Sequence, residues 1–597
     1  MKQVCNRSLE VSGGRASGNH GDTRRTTAPW RLWLACCMVA GIAAGAVGAQ
    51  PSPQPQPRPD SAAGGGGAGW RINRFGDATE AKLGPGREQR EALLVGRDQA
   101  SPQAHVMHPL ALRPGHRYRL RVQLAGDAGG QLQLMVRRTG APYDVVVQED
   151  VTLDDAGRSV ELQWVAYDEP GEFDLRVVPR SPRVRVRVGT PQLEDQGRAP
   201  LGGPAVAPFD TRLLGLHLNK FGQYRTVPAL GAGLVRIWDM RTNWNHLAPT
   251  PEAWKERAGE AWTRLDGLVD VVRRQTPGTA LLMTLGQPPA WASASPQATC
   301  PYGTGTCGAP ISLDAWRDYV ETLARRYKGR ITHWELWNEA DYKRFFVPTV
   351  SLVDLAKVAS EVLKSVDPAN RLISPGFTSS GIVWLDRFLA QGGGRYVDAI
   401  GFHWYAPGAP ETLAPRIKNV RALMQRYRVE NLPLWNTEGA PLCSSPGKSV
   451  CHVKGLEAGE VEALPMRFIL TMWLEGVSAV GYYTVEGIGG RTVMLFDPDS
   501  RAPTQAGTGY AMLGRWLREA RVESIEAWGE AGHAVRVRGP EGPAVIVWSE
   551  QRDEALRVPS GWAVGRKQTP WSEPEPLATD GTLVVGRVPL RLLPAAR

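Results

Sequence analysis

Two glutamates stand out by the company they keep. Glu339 closes the run ITHWELWNE (331–339), and Glu438 closes LPLWNTE (432–438). Each acid ends a short apolar and aromatic stretch with strand-like spacing, so each belongs at the mouth of a buried strand. Burying a carboxyl costs free energy unless the group is paired or used. Two carboxyls brought face to face can divide a task. One, protonated, gives its proton to a leaving oxygen; the other, ionised, attacks carbon. The division needs surroundings that push the two pKa values apart. Neighbouring residues supply further candidates. Asn338 precedes Glu339, and His403 and Tyr405 end VDAIGFHWY (397–405). Arg236, Trp238 and Asp239 lie in LVRIWDM (234–240), and Tyr483 lies in VSAVGYYTVE (477–486). Alternation places Glu335 deeper than Glu339, as a buried partner for an arginine, while Asp341 opens the loop beyond. Trp244, Trp291 and Trp404 fall on loops after such runs, where an aromatic face could stack on a ligand ring.

Acids so distant in sequence meet only if their strands end at one rim. From 209 to 520 the pattern alternates strand and helix. Eight strand-like runs can be picked out: 213–220, 234–240, 280–287, 331–339, 371–377, 397–405, 432–438 and 477–486. Helical stretches such as LDAWRDYVETLARRYKG and SLVDLAKVASEVLKSV separate them. Eight alternations predict an α/β fold, a (β/α)8 TIM barrel, whose chemistry sits at the C-terminal ends of its strands. Two carboxylates across such a bowl are what retaining glycoside hydrolysis uses, about 5–5.5 Å apart.

At this point a resemblance can be stated. WNE on the fourth strand and TE on the seventh resemble clan A glycoside hydrolases. The phrases VRIWDMRTNWNHLAP, TLGQPPAWASASP, HWELWNEADYKRFF, GFHWYAPGAPE and LPLWNTEGAP resemble glycoside hydrolase family 39 and its exopolysaccharide-degrading relatives, over most of 210–515. The resemblance implies roles. Glu339 would be the general acid/base and Glu438 the nucleophile. Asn338 would hold the sugar 2-hydroxyl, Tyr405 and His403 would steady the nucleophile or bind sugar, and Arg236 would keep Glu438 ionised. Trp238 and Asp239, read from their place at the rim, would either shape the first sugar subsite or only pack. Many clan A enzymes end the eighth strand in a tryptophan; here GYYTVEG offers Val485 and Glu486, so either a tyrosine such as Tyr483 stands in or the subsite is built differently. The expected partner is a polysaccharide or oligosaccharide, such as a bacterial exopolysaccharide or plant-type β-glycan. A non-catalytic polysaccharide-binding or assembly protein, or an adhesin built from the flanking β-domains, would gain little from two facing carboxylates.

The flanks read differently. Residues 70–200 alternate apolar and polar residues between close turns, predicting an antiparallel, jelly-roll-like β-sandwich similar to carbohydrate-binding modules. Its few aromatics are Tyr143, Trp164 and Tyr167, with Trp164 expected in the core. Residues 521–597 return to strands and predict a small C-terminal β-domain. Residues 50–69, QPSPQPQPRPDSAAGGGGAG, are a linker. Ahead of it, Arg24, Arg25 and Arg31 flank an apolar run ending Val47-Gly48-Ala49, which predicts a signal peptide over 1–49 cleaved near Ala49, or else an N-terminal membrane anchor. The chain would therefore be exported, to the periplasm or beyond. Cys300, Cys307, Cys443 and Cys451 remain after cleavage. Three pairings are possible, and the local one, Cys300–Cys307 with Cys443–Cys451, suits an oxidising compartment. No metal-ligand spacing and no cofactor motif occurs. The 597 residues are 42% hydrophobic and 22% charged, with a formal charge of +10 spread along the chain, and no nucleic-acid motif. That excess reads as a solvated surface.

Overall fold

In the computed structural model the described residues are 69–595, apart from 76–79, 86–88, 97–103, 169–170, 204–205, 343, 379–380, 445–450 and 552. The signal peptide or anchor expected over 1–49, and nearly all of the linker expected over 50–69, lie outside them. Among the described residues, no helix is long and apolar enough to cross a membrane.

All eight expected barrel runs form strands. They are β1 (Gly215–His217), β2 (Leu234–Ile237), β3 (Ala280–Leu285), β4 (His333–Leu336), β5 (Arg371–Ile373), β6 (Ile400–His403), β7 (Leu434–Gly439) and β8 (Val477–Tyr482). The sheet runs β5-β4-β3-β2-β1-β8-β7-β6 with parallel neighbours. Parallel bridges from Ile373 to Ala399 and from Phe377 to Phe402 join β5 to β6 and close the barrel. Helices Leu313–Arg326 and Leu352–Val366 fill the connections expected for them, each started by a serine (Ser312, Ser351) whose side chain accepts a backbone N–H of the first turn.

Strand alternation sorts the side chains into an outer core and inner layers. Val235, Ile237, Trp334 and Leu336 face the helices. Leu234, Leu282, Ile373, Ala399, Trp435 and Ala479 plug the bottom of the barrel. Two residues on, the inward positions turn polar: Arg236 follows Leu234, Thr284 follows Leu282, and Glu335 follows His333. The site thus rests on an apolar floor that water cannot reach.

The sandwich is also as expected. One sheet orders strands Arg71–Arg74, Ala104–Leu110, Phe173–Pro179, Gln131–Arg138 and Val145–Thr152. The other orders Gln192–Arg198, His116–Gly126, Arg183–Gly189, Gln89–Val95 and Lys82–Leu83, with Arg158–Val165 also paired to His116–Gly126. Trp164 is buried in their shared core and stacks on Tyr118. The sandwich docks on the barrel helix Ala414–Arg426 through polar pairs. Asn419 mimics a strand neighbour: its side chain accepts from Val165 N (2.8 Å) and donates to Val165 O (2.9 Å). Arg416 reaches Asp144 at 3.2 Å and lies 3.9 Å over the Tyr167 ring, so Tyr167 serves the seam. Gln148 donates to Asp386 of the helix Ile382–Ala390 at 2.6 Å. Arg416→Ala leaves Asp144 buried without its partner. The expected cost is about 3 kcal/mol, read as a lower urea midpoint; an unchanged midpoint rejects this seam as a source of stability.

The C-terminal β-domain orders strands Arg521–Ala527, Gly532–Gly539, Gly542–Ser549, Leu590–Leu593, Arg566–Gln568 and Glu575–Pro576 in one sheet. Val535, Ile546 and Trp548 join the barrel's core. Trp548 Nε1 donates to Glu411 at 2.7 Å, and Arg467 closes the same carboxyl at 2.6 Å.

Candidate active site

Glu438 owes its direction to a fault in the ladder. β6 pairs Ile400, Gly401 and Phe402 with Leu434, Trp435 and Asn436, and then His403 pairs with Glu438, leaving Thr437 as an extra residue. Strict alternation from inward Trp435 would face Glu438 outward. The bulge turns it into the bowl beside His403. Glu339 lies three residues beyond the end of β4, where the sequence placed it on the strand itself. Trp337 (φ 63°) and Glu339 (φ 47°) both take left-handed backbone there, unusual for side chains with a Cβ. The same conformation occurs at Asp239 (φ 55°) after β2 and Gln287 (φ 57°) after β3. Strained residues thus gather on one rim, as they do at functional sites.

Arg236 is the hub. Its Nη1 donates to Glu438 Oε2 at 2.6 Å. Its Nη2 donates to Glu335 Oε2 at 2.7 Å and to Asn338 Oδ1 at 2.8 Å. Glu335 is fully buried and also accepts from the Thr284 hydroxyl at 2.6 Å. It is the arginine partner that its depth implied. Tyr405 donates its hydroxyl to Glu438 Oε1 at 2.6 Å. His403 Nδ1 lies 3.2 Å from Glu339, and its Nε2 lies 3.3 Å from Glu335. Gly376, after β5, makes room for this ring: a Cβ there would stand 2.1 Å from His403 Nε2.

These contacts split the two acids. Burial works against an ionised Glu438, yet the positive charges of His403 and Arg236 and the Tyr405 hydroxyl hold its pKa below the usual range. Glu339 goes the other way: burial raises its pKa, and the neighbouring Glu438 charge adds to this despite the His403 hydrogen bond. Glu335 is held low against its burial, chiefly by Arg236 and His403. Two buried histidines differ in charge. His403 is favoured neutral by burial, but Glu438, Glu335 and Glu339 push it up to about 9. His217 on β1, desolvated and near Arg236, falls to about 3 and is neutral, with Nε2 at 2.8 Å from Trp238 O.

The remaining candidates divide. Tyr483 donates to Asp239 Oδ2 at 2.7 Å and sets its ring edge-on to His217. Asp239 is pushed up to about 7 by burial, with the Glu438 charge also raising it. Asp341 caps the loop after β5 by accepting from Thr378 N (3.2 Å) and its hydroxyl. Trp244 offers no open face: it is 1% exposed and stacked on Tyr319 at 4.2 Å. Trp404 is likewise buried, against Phe402. Both belong to the packing beneath the loops. Trp238 is buried too, and Trp291 packs on the loop after β2 by donating to Ala248 O at 2.9 Å. Sequence reasoning missed Tyr302, Tyr342 and Phe345, half-buried aromatics on the loops after β3 and β4. The signal for Tyr302 was its place between two cysteines just beyond a barrel strand. The bridges Cys300–Cys307 and Cys443–Cys451 are formed as expected. Glu486, at the departure on β8, accepts from Lys220 N at 2.7 Å and from the Tyr224 hydroxyl, fastening the loop after β1.

Glu339, His403 and Glu438 each put one ligand-type atom within 4.8 Å of the others, the one such group of three among the described residues. Arg236 and a charged His403 already supply the cations there.

The family model of glycosyl hydrolases family 39 matches residues 255–450. The matched stretch is a segment similar to that family. It spans β3 to β7 and carries both Glu339 and Glu438. The chain is accordingly a glycosidase acting on O-glycosyl compounds. Among solved structures, it is similar to a family 39 glycoside hydrolase from Bacteroides cellulosilyticus WH2, at 16% identity over 79% of this chain and 96% of that one, TM-score 0.48. It is similar to a GH39 β-xylosidase from Caulobacter crescentus, at 17% identity over 67% of this chain and 98% of that one, TM-score 0.46. It is also similar to the GH39 enzyme of Xanthomonas axonopodis pv. citri, at 18% identity over 66% and 96%, TM-score 0.45. Likeness at this level says nothing about the sugar. No curated protein matches the chain.

Proposed function

We propose that the chain is an exported retaining glycosidase, with Glu438 as nucleophile and Glu339 as acid/base, that cleaves a polysaccharide or oligosaccharide such as a bacterial exopolysaccharide or plant-type β-glycan. The observation that carries this reading is the pair of opposed carboxyls. Atoms of Glu339 and Glu438 approach within 4.8 Å, which suits direct attack on the anomeric carbon. An inverting pair needs about 6.5–9.5 Å to seat a water between the acids. Their environments match the roles, one carboxyl favoured neutral and the other ionised.

In the first step Glu438 Oε attacks the anomeric carbon while Glu339 gives its proton to the departing oxygen, leaving a glycosyl ester. In the second, Glu339, now ionised, takes a proton from water as the water oxygen displaces Glu438. Arg236 and Tyr405 stabilise the carboxylate that leaves. Asn338, oriented by Arg236 Nη2, is placed to hold the 2-hydroxyl of the sugar. The two disulfides suit an oxidising compartment. Reducing-end release from glucans, xylans, mannans and bacterial exopolysaccharides tests the function; if no glycan or aryl glycoside is cleaved, the reading falls.

A further inference from the structure

The loop after β3 is drawn into a ring by Cys300–Cys307, and Tyr302 stands inside that ring. Asn245, on the loop after β2, pins its backbone by donating to Tyr302 O at 3.2 Å. Its ring lies edge-on to Trp238 at 5.5 Å and 5.9 Å from Phe345. The Tyr302 hydroxyl accepts from Trp238 Nε1 at 3.2 Å and stands beside the Asp239 carboxyl, favouring its ionised form. From the other side Tyr483 donates to Asp239 Oδ2 at 2.7 Å. Three loops therefore converge on one carboxyl, a tyrosine on each side of it.

Packing alone does not ask for an acid here. Burial and the charge of Glu438 both work against an ionised Asp239, and an amide of the same shape would escape both costs. What a carboxylate adds is acceptor capacity, about four lone-pair sites. Tyr483 uses one, and the Tyr302 hydroxyl stands near another. Asp239 is only partly buried, on the rim that holds Glu438. Two neighbouring hydroxyls of a sugar ring present two donors that one carboxylate can take together.

We propose that Asp239, held between Tyr302 and Tyr483, takes a vicinal pair of hydroxyls, remote from the reacting carbon, on the sugar that sits between Glu339 and Glu438, and that Tyr302 is the specificity-determining residue that the Cys300–Cys307 ring contributes. The substrate class is then a pyranoside with that pair free. The inference rests on the reading of Glu339 and Glu438 as the reacting acids.

The test crosses enzyme variants with substrate analogues. The probe is whichever 4-nitrophenyl gluco-, galacto-, xylo- or mannoside the wild type cleaves fastest, with its 3-deoxy and 4-deoxy analogues. Losing a hydrogen bond to a charged group costs about 10- to 100-fold. The wild type should lose that much in kcat/KM on a deoxy analogue, and Asp239→Asn should lose as much on the parent glycoside. In Asp239→Asn the deoxy analogue should cost no further activity. Tyr302→Phe, which keeps the ring packing, should show about a tenfold loss and a reduced penalty for the analogue. A structural role for either residue would instead give losses that multiply, or none, and would overturn the proposal. If Asp239→Asn does not fold, the Tyr302→Phe cycle decides alone. Wild-type activity in Glu438→Ala would sink the underlying assignment of the acids whatever the cycle shows, whereas multiplying losses with an inert Glu438→Ala sink only the role of Asp239.

Discussion

Glu438→Ala is expected to lower kcat/KM on the order of 10⁵-fold or more for every glycoside, because no ester can form without the nucleophile. The loss should not depend on the leaving group, since a better leaving group does not replace an absent attacker. The alanine also leaves Arg236 Nη1 and the Tyr405 hydroxyl aimed at an empty space the size of a carboxylate. A small anion such as azide fits both the space and the charge. It can attack the anomeric carbon from the vacated face while Glu339 still protonates the leaving oxygen, giving a glycosyl azide of inverted configuration. Product configuration by NMR is the measurement. A retained azide, or activity within tenfold of wild type, would mean that another group is the nucleophile.

The meeting of Glu339 and Glu438 at one rim was more legible in the sequence than the geometry that orients them. The strands of the barrel could be read because each is a short, mostly apolar run, set off from the next by turns and helical stretches. Glu335 could be read as an arginine partner because strand alternation is a local rule. The turn of Glu438 into the bowl could not, since it depends on a one-residue bulge against β6 that no spacing in LPLWNTE reveals. Trp244 reads in sequence like a sugar platform, because a stacking tryptophan and a core tryptophan are the same residue on the same kind of loop. Only the helix Leu313–Arg326 passing beneath it, with Tyr319 against its ring, decides the matter. Gly376 carried no visible signal either. Its role comes from the approach of His403 from another strand. The different charge states of His217, neutral, and His403, protonated, follow the same logic: one ring faces an arginine and a carbonyl, the other three carboxyls, and neither set of neighbours is near in sequence.

Glu339→Ala should fail in a different way. The acid it removes acts twice, first as proton donor and then as base toward water. For a substrate with a poor leaving group, such as a native glycan, the first step needs the proton, and the loss should be about 10²–10⁴-fold. An aryl glycoside with an acidic phenol needs little protonation, so its first step should largely survive. The second step still lacks its base. The glycosyl ester on Glu438 should therefore accumulate, seen as a burst of phenol close to one equivalent and as a mass increase of one glycosyl residue on the protein. KM should fall together with kcat, because the stalled ester retains the enzyme. Azide needs no base, so it should restore turnover, now with retained configuration because it follows one inversion with another. Glu339→Gln carries the argument to pH. In the wild type, kcat/KM should rise as Glu438 ionises, at a pH below the ordinary carboxylate range, and fall as Glu339 loses its proton, above that range. Glutamine cannot lose that proton, so the alkaline limb should vanish while the acid limb stays. If the alkaline limb persists in Glu339→Gln, or if Glu335→Gln shows the burst and the azide rescue instead, the proton donor is not Glu339.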